Sequence, residues 1–239
     1  VNLILRDVNR EKRMAARQSE FIANVTHELK TPLTSINMFA ESIYLDKAKS
    51  EASRKKYSNI IIKESENLKR KIDNILEYSV KKNESSKYKL QDTDLSALLK
   101  LVLNEMEYWL EINKFNVSIE IEEDIKAFVD PEAIKPALSN LIGNAIKYSS
   151  VNKNLFVRLK KQLDKISIEI EDTGLGIPKN QISLIFEKFY RVRSKENETT
   201  SGTGLGLTVA GDIIKAHNGE LKVTSELNKG SKFTIVLNS

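Results

Sequence analysis

With 239 residues, 40% of them hydrophobic and 30% charged, the chain can bury one large core, or one core beside an elongated helical module. It has no cysteine, which excludes disulfides and thiolate chemistry and suits a reducing cytoplasm, and no apolar run nears the ~18 residues of a membrane span. The net charge of +5 is uneven: residues 1–87 hold 18 Lys/Arg against 12 Asp/Glu, and residues 88–239 hold 20 against 21. The basic half mixes both signs along helix faces without interleaved aromatics, the pattern of a solvated surface rather than of a nucleic-acid binder. Because the chain begins at Val1, it reads as a piece of a longer protein, and any membrane attachment would come through segments outside it.

The first 85 residues contain one proline and no glycine. From Ile22 the apolar positions recur as Ile22, Val25, Leu29, Pro32, Ile36, Phe39 and Ile43, a 3-4 spacing that predicts a coiled-coil or bundle seam. The polar stretch "LDKAKSEASRKK" interrupts it, and a second seam follows with Ile61, Ser65, Leu68, Ile72, Ile75 and Ser79. This predicts a helical hairpin over 21–86, turning at about 46–52. Two helices cannot hide both stripes from water alone, so a dimeric four-helix bundle is expected. Residues 1–20 read as a signal-transmitting linker helix. Within them "LILRDVNREKR" has two readings: a coiled-coil connector, or a stretch that resembles the last strand of a PAS sensor domain running into a helix.

Beyond "KKNESSKYK" the texture changes. Alternating runs at 116–121, 155–159, 166–171, 220–225 and 232–237 predict strands, and stretches at about 94–113, 131–148 and 205–217 predict helices. The mixture predicts an α/β two-layer sandwich over 87–239, with helices on one face of one sheet. Eight of the nine glycines lie beyond residue 170.

One of the two histidines, His27 in "NVTHELKTPL", falls opposite the seam, where a packed core histidine would not sit. Thr31 follows it by one helical turn, and Pro32 removes the N–H that the Glu28 carbonyl would accept. An imidazole turned to solvent is a nucleophile in its neutral form, and it lacks only an electrophile.

Three pieces further on suit a nucleotide. In "NLIGNAIKYS" (140–149), Asn140, Asn144 and Lys147 share a helix face beside Tyr148, offering carboxamide oxygens for a hard cation and an ammonium for phosphate. "EDTGLGI" (171–177) closes a strand with Asp172, Gly174, Gly176 and Ile177, where the carboxylate can accept from an exocyclic amine. "SGTGLGLTVA" (201–210) runs Gly202, Thr203, Gly204, Leu205 and Gly206 into an amphipathic helix whose N-terminal amides favour anionic oxygens. Singly, each has an ordinary reading as a polar helix face, a strand-to-helix turn or a glycine loop.

In this order the motifs resemble those of sensor histidine kinases: "FIANVTHELKTPL" the H box, "NLIGNAIKYS" the N box, "DTGLGI" the G1 box, "FEKFYRV" (186–192) the F box and "GTGLGL" the G2 box. The resemblance spans about residues 15–239. It implies a dimerisation and histidine-phosphotransfer hairpin joined to a Bergerat-type ATP-binding domain. By position, it makes His27 the phosphoacceptor and Glu28 its acid/base partner. Asn144 becomes the Mg²⁺ ligand, with Asn140, Lys147 and Tyr148 around the phosphates. Asp172 reads the adenine amine, and Ile177 helps line the adenine pocket. Gly174, Gly176, Gly202, Thr203, Gly204, Leu205 and Gly206 shape its rim. Phe186 and Phe189 anchor a lid over about 188–203, and Arg191 reaches toward the γ-phosphate.

The resemblance further implies phosphotransfer from His27 to an aspartate of a response-regulator receiver domain, and Thr31 matches the position that orients water for dephosphorylating that regulator. The rival reading is an ATPase of the gyrase and mismatch-repair type. Those proteins resemble this chain in the pocket but carry a glutamate where Asn140 stands, and a carboxamide cannot act as a general base. His217, in "KAHNGE", reads as a helix end complementing the dipole, with Gly219 in the left-handed cap. Pro136, six positions into the N-box helix, has no functional account.

Overall fold

The computed structural model describes residues 2–80, 88–149, 153–192 and 204–239. Helix α1 (Asn2–Tyr44) and helix α2 (Glu51–Val80) form a hairpin that makes one compact unit, and the chain beyond Val80 makes a second. The helix in α1 begins at Asn2, so residues 3–13 do not form the strand that a PAS ending would require. It also continues through Pro32, which is buried. The turn comes at 45–50, and "EASRKK" already belongs to α2. Phe39 stacks on Tyr57 across the hairpin, with ring centroids 5.1 Å apart. Ile22, Leu33, Met38, Ile62 and Ile72 stay exposed on this single hairpin.

The second unit is a five-stranded mixed sheet with three helices on one face. Its strands are β2 (Asn116–Ile121), β4 (Asn154–Gln162), β5 (Lys165–Asp172), β6 (Glu220–Glu226) and β7 (Gly230–Asn238), in the order β2-β4-β5-β7-β6. Only β2 and β4 are parallel. Inward positions carry Leu155, Val157 and Leu159, then Ile166, Ile168 and Ile170, then Phe233, Ile235 and Leu237, all buried. The outer face is charged, with Arg158 bonded to Glu171 at 2.7 Å and lying 3.4 Å from Glu169.

Helix α3 (Leu95–Ile112) buries Leu95, Leu99, Val102, Met106 and Leu110 at helical spacing, and Asp94 caps it by accepting from the Ala97 N–H. Helix α4 (Pro131–Tyr148) starts on a proline that needs no N–H partner there, after the cap Asp130. Helix α5 (Gly206–Ala216) packs against α4. A small antiparallel pair, β1 (Gln91–Asp94) with β3 (Lys126–Val129), was not anticipated. Nothing in the structure explains Pro136.

His217 plays a different part from the one expected. It is buried, Nδ1 lies 2.7 Å from the Ile213 carbonyl, and Nε2 accepts the Asp130 N–H at 3.1 Å. A carbonyl only accepts, so the proton is on Nδ1 and the ring is neutral rather than a charge set against the dipole. The left-handed residue is Asn218, at φ 55°, not Gly219. The ring also stacks on Tyr88 at 4.8 Å, while Asp130 accepts from the N–H groups of Glu132 and Lys89. One imidazole thereby ties the end of α5 to the start of α4 and to the chain entering the unit.

His217→Ala leaves a buried N–H and a cavity together, so it should cost the second unit about 2–3 kcal/mol. Urea unfolding followed by fluorescence of Trp109, the sole tryptophan and part of α3, measures it. Gln, which can both donate and accept, should lose less.

Candidate functional site

The apolar side of α4, from Ala137 and Leu138 to Leu141, Ile142 and Ala145, is buried against the rest of the unit. This orients the opposite side, where Asn140, Asn144, Lys147 and Tyr148 stay half-buried. Asn140 faces the start of α5: a methyl group placed on Gly206 would lie 3.5 Å from its carboxamide. The Lys147 ammonium lies 5.4 Å from the Tyr148 ring centre. The Tyr148 carbonyl accepts the Leu175 N–H at 3.0 Å, which ties the end of α4 to the loop after β5.

That loop opens at Asp172, which is buried and accepts the Gly174 N–H at 2.8 Å. Any Cβ on Gly174 would strike the Tyr148 carbonyl and lie 2.8 Å from the Ser149 hydroxyl, so the turn admits only glycine. Gly176 and Ile177 follow, half-buried, and the Ile177 N–H donates to Ser225.

The F and G2 motifs meet through their backbones. The Phe189 N–H donates to the Gly204 carbonyl at 3.1 Å, and both residues are left-handed, at φ 64° and 68°. This backbone is strained for an aromatic residue and ordinary for glycine. A Cβ on Gly204 would come within 2.9 Å of the Phe189 carbonyl carbon. Tyr190 donates to Gln181 at 2.8 Å, and Thr208 on α5 donates to the Phe186 carbonyl at 3.1 Å. Leu205 is buried and Arg191 half-buried. Gly202, Thr203 and most of the expected lid lie outside the described residues.

The predicted residues of the second unit are thus joined by contacts that run from N box to G1, N box to G2, and F box to G2. Two residues of the same neighbourhood escaped the motif reading: Ser231, whose backbone N–H donates to the Asp172 carboxylate, and Ser225. Their signal was present in the alternation, since Ser231 and Ser225 take inward positions on strands whose other inward residues are apolar.

In the first unit, His27 is exposed on α1, as its heptad position requires. The Thr31 hydroxyl donates to the His27 carbonyl at 3.1 Å, and Thr26 and Thr34 bond back to Ile22 and Lys30 at 2.8 Å. The Glu28 side chain lies outside the described part of the helix surface.

A half-open mixed sheet roofed by helices, with a buried aspartate at a strand end and glycine loops opening two helix approaches, defines an ATP-binding domain. Residues 129–239 match the family model of the histidine kinase-, DNA gyrase B- and HSP90-like ATPases, and residues 17–84 match that of the phosphoacceptor domain of histidine kinases. The chain belongs to the sensor histidine kinases.

It is 31% identical to the sensor protein kinase WalK of Staphylococcus aureus over 98% of its own length. The match takes in 57% of one WalK sequence and 39% of others, so the chain spans about half the length of such curated relatives. The Acinetobacter baumannii histidine kinase AdeS is 25% identical, with a TM-score of 0.57, over 89% of this chain and 97% of that one. Histidine kinase ThkA, solved in complex with the response regulator protein TrrA, shares the fold at a TM-score of 0.60 and 24% identity, over 96% of this chain and 64% of that one.

The Asp172 carboxyl is pushed up to about 6 from its ordinary 3.8, first by burial and last by the Glu171 charge, against the Gly174 and Ser231 N–H groups that pull it down. Between about pH 4 and 6 the folded state therefore holds a proton that the unfolded chain has released. The group's contribution to stability is complete below pH 4 and is lost as pH rises through 6, a swing of roughly 3 kcal/mol. Urea unfolding of the nucleotide-free protein at pH 4 and pH 7, by Trp109 fluorescence, should show wild type losing about that much relative to Asp172→Asn. Parallel pH profiles would remove the assignment.

Proposed function

We propose that the chain phosphorylates itself on His27 from ATP held by α4, the loop after β5 and the start of α5, and passes the phosphoryl group to an aspartate of a response-regulator receiver domain. The observation that carries the reading is a pair of groups, one in each unit: a carboxamide, Asn140, beside the N-terminus of α5, and an imidazole, His27, exposed on α1. A pocket with no carboxylate at that position has no base to prime water, so the γ-phosphoryl group persists until a nucleophile arrives. The His27 nitrogen lone pair forms the new N–P bond, and the bridging O–P bond breaks with its electron pair leaving on ADP. Glu28 takes the displaced imidazole proton. Lys147 and Arg191 offset the phosphate charge, and Gly206 and its neighbours present N–H groups to it.

The donor set fits Mg²⁺, which takes one or two protein oxygens and completes its shell with phosphate oxygens and water. Asn144 would hold it, with Asn140 on the same helix face. Bound there, the ion supplies charge neutralisation between phosphate oxygens.

Ile22, Leu33, Met38, Ile62 and Ile72, exposed on one hairpin, support a homodimer in which a second hairpin covers them. A response regulator as partner is supported by the likeness to ThkA, which was solved in complex with the response regulator protein TrrA. No described helix is long and apolar enough to cross a membrane. A reaction that needs ATP and a receiver domain is one for the cytoplasm.

His27→Gln should abolish acid-labile, base-stable labelling from γ-³²P-ATP while nucleotide binding and melting temperature stay as in wild type, since the side chain is exposed. Free turnover of ATP to ADP and inorganic phosphate, with residue 27 unmodified by mass spectrometry, would falsify the kinase reading and favour the ATPase. For Thr31→Ala, autophosphorylation should stay within about twofold while dephosphorylation of the regulator falls at least tenfold, an effect of about 1.4 kcal/mol or more on one step. Equal losses in the two assays would remove that role from Thr31.

A further inference from the structure

Three polar residues lie side by side on the inward face at the end of the sheet. Asp172 on β5 pairs with Ser231 on β7, and Ser231 pairs with Ser225 on β6. Two residues deeper, the equivalent row is Ile170, Phe233 and Val223. The polar row therefore interrupts an apolar face at the end where the nucleotide residues gather.

The Ser225 hydroxyl has three partners: it donates to the Gly230 carbonyl at 2.8 Å, accepts the Ile177 N–H at 2.8 Å, and lies 2.9 Å from the Ser231 hydroxyl. A hydroxyl carries one proton, and a carbonyl can only accept. All three contacts are met together only when Ser225 gives its proton to Gly230 and Ser231 donates to Ser225. The Ser231 oxygen then offers lone pairs alone, as the ionised Asp172 carboxylate beside it does. The same hairpin grips the loop after β5 at a second point, where the Asn228 N–H donates to the Leu175 carbonyl at 2.7 Å.

We propose that Ser225 is a positioning residue for base recognition: by holding the Ile177 N–H and taking the Ser231 proton, it leaves an edge of acceptors that selects a purine with an amino group at position 6 over one with an oxo group. The proposal rests on the reading of Asp172 as the group that meets the base. Ser225 acts through Ser231 and the loop. An oxo group brought to this edge sets oxygen against oxygen and leaves buried acceptors without donors, the situation in which polar sites discriminate most strongly.

Titration calorimetry of the whole chain with ATP and with inosine triphosphate, which differ in the base at position 6 and its adjoining nitrogen, tests this. Ser225→Ala frees the Ser231 proton and should lower the ATP-to-ITP affinity ratio about tenfold, chiefly by weakening ATP, and Ser225→Thr should restore it. Should the alanine variant fail to fold, Ser225→Cys, close in size and a poor hydrogen-bonding group, should give an intermediate ratio. A folded Ala or Cys variant with the wild-type ratio, or one that weakens both nucleotides equally, overturns the proposal. Asp172→Asn measured in parallel separates the layers. If it binds ATP as wild type does, the base-reading role itself falls. If it loses ATP while Ser225→Ala keeps full discrimination, only the role of Ser225 falls.

Discussion

A carboxylate moved out of water must be met by N–H donors, and at Asp172 the fold supplies them from two directions. One is the Gly174 N–H, from a turn so tight that only glycine passes beneath the Tyr148 carbonyl. The other is the Ser231 N–H, available because β7 lies beside β5 in a register that sets Ser231 opposite Asp172. Residues far apart in the chain therefore converge on one group, and the sheet order, with the last strand inserted between β5 and β6, is what unites them. The donors do not cancel the cost of burial, since the carboxyl still titrates near 6. A charge retained at neutral pH therefore counts against the stability of the domain.

His27 has the opposite environment. Asp172 is enclosed, whereas His27 stands exposed on a helix. That helix is continuous from Asn2 to Tyr44 and carries Pro32 in its interior, five residues past His27. Pro32 removes the donor for the Glu28 carbonyl, and Thr26, Thr31 and Thr34 each add a second donor to a carbonyl one turn back. Such back-bonding bends helices.

Much of the fold was legible because its signals are periodic. All five strands of the main sheet, both hairpin helices and all three packed helices announced themselves by a repeat of two or of three to four residues, since each buries one face. The pair β1 and β3 did not. Four residues such as "QDTD" bury one side chain, too few for alternation to show, and Asp94 there reads only as the cap of α3. His217 was legible as a helix end but not in its chemistry. Its two partners come from Ile213, one turn back, and from Asp130, 87 residues away, and only the second reveals that the ring must be neutral.

The site divides along the same line. The glycines and carboxamides of the candidate site are confined to short ordered motifs and can be found one by one. Residues bonded to others of that site, Ser225 to Ile177 and Ser231 to Asp172, are spread across strands, and a motif search passes over them because a serine in a strand is unremarked. Their trace is positional: on β5 the inward residues run Ile166, Ile168, Ile170, Asp172; on β7 Leu237, Ile235, Phe233, Ser231; on β6 Leu221, Val223, Ser225. Each apolar series ends in a polar residue, and register places the three ends in one row. An inward slot costs free energy to fill with an oxygen unless a partner waits there. Three adjacent strands sharing the same exception at the same level therefore mark a place where the partners are one another, as in the Ser225–Ser231 contact and the Ser231 N–H on Asp172.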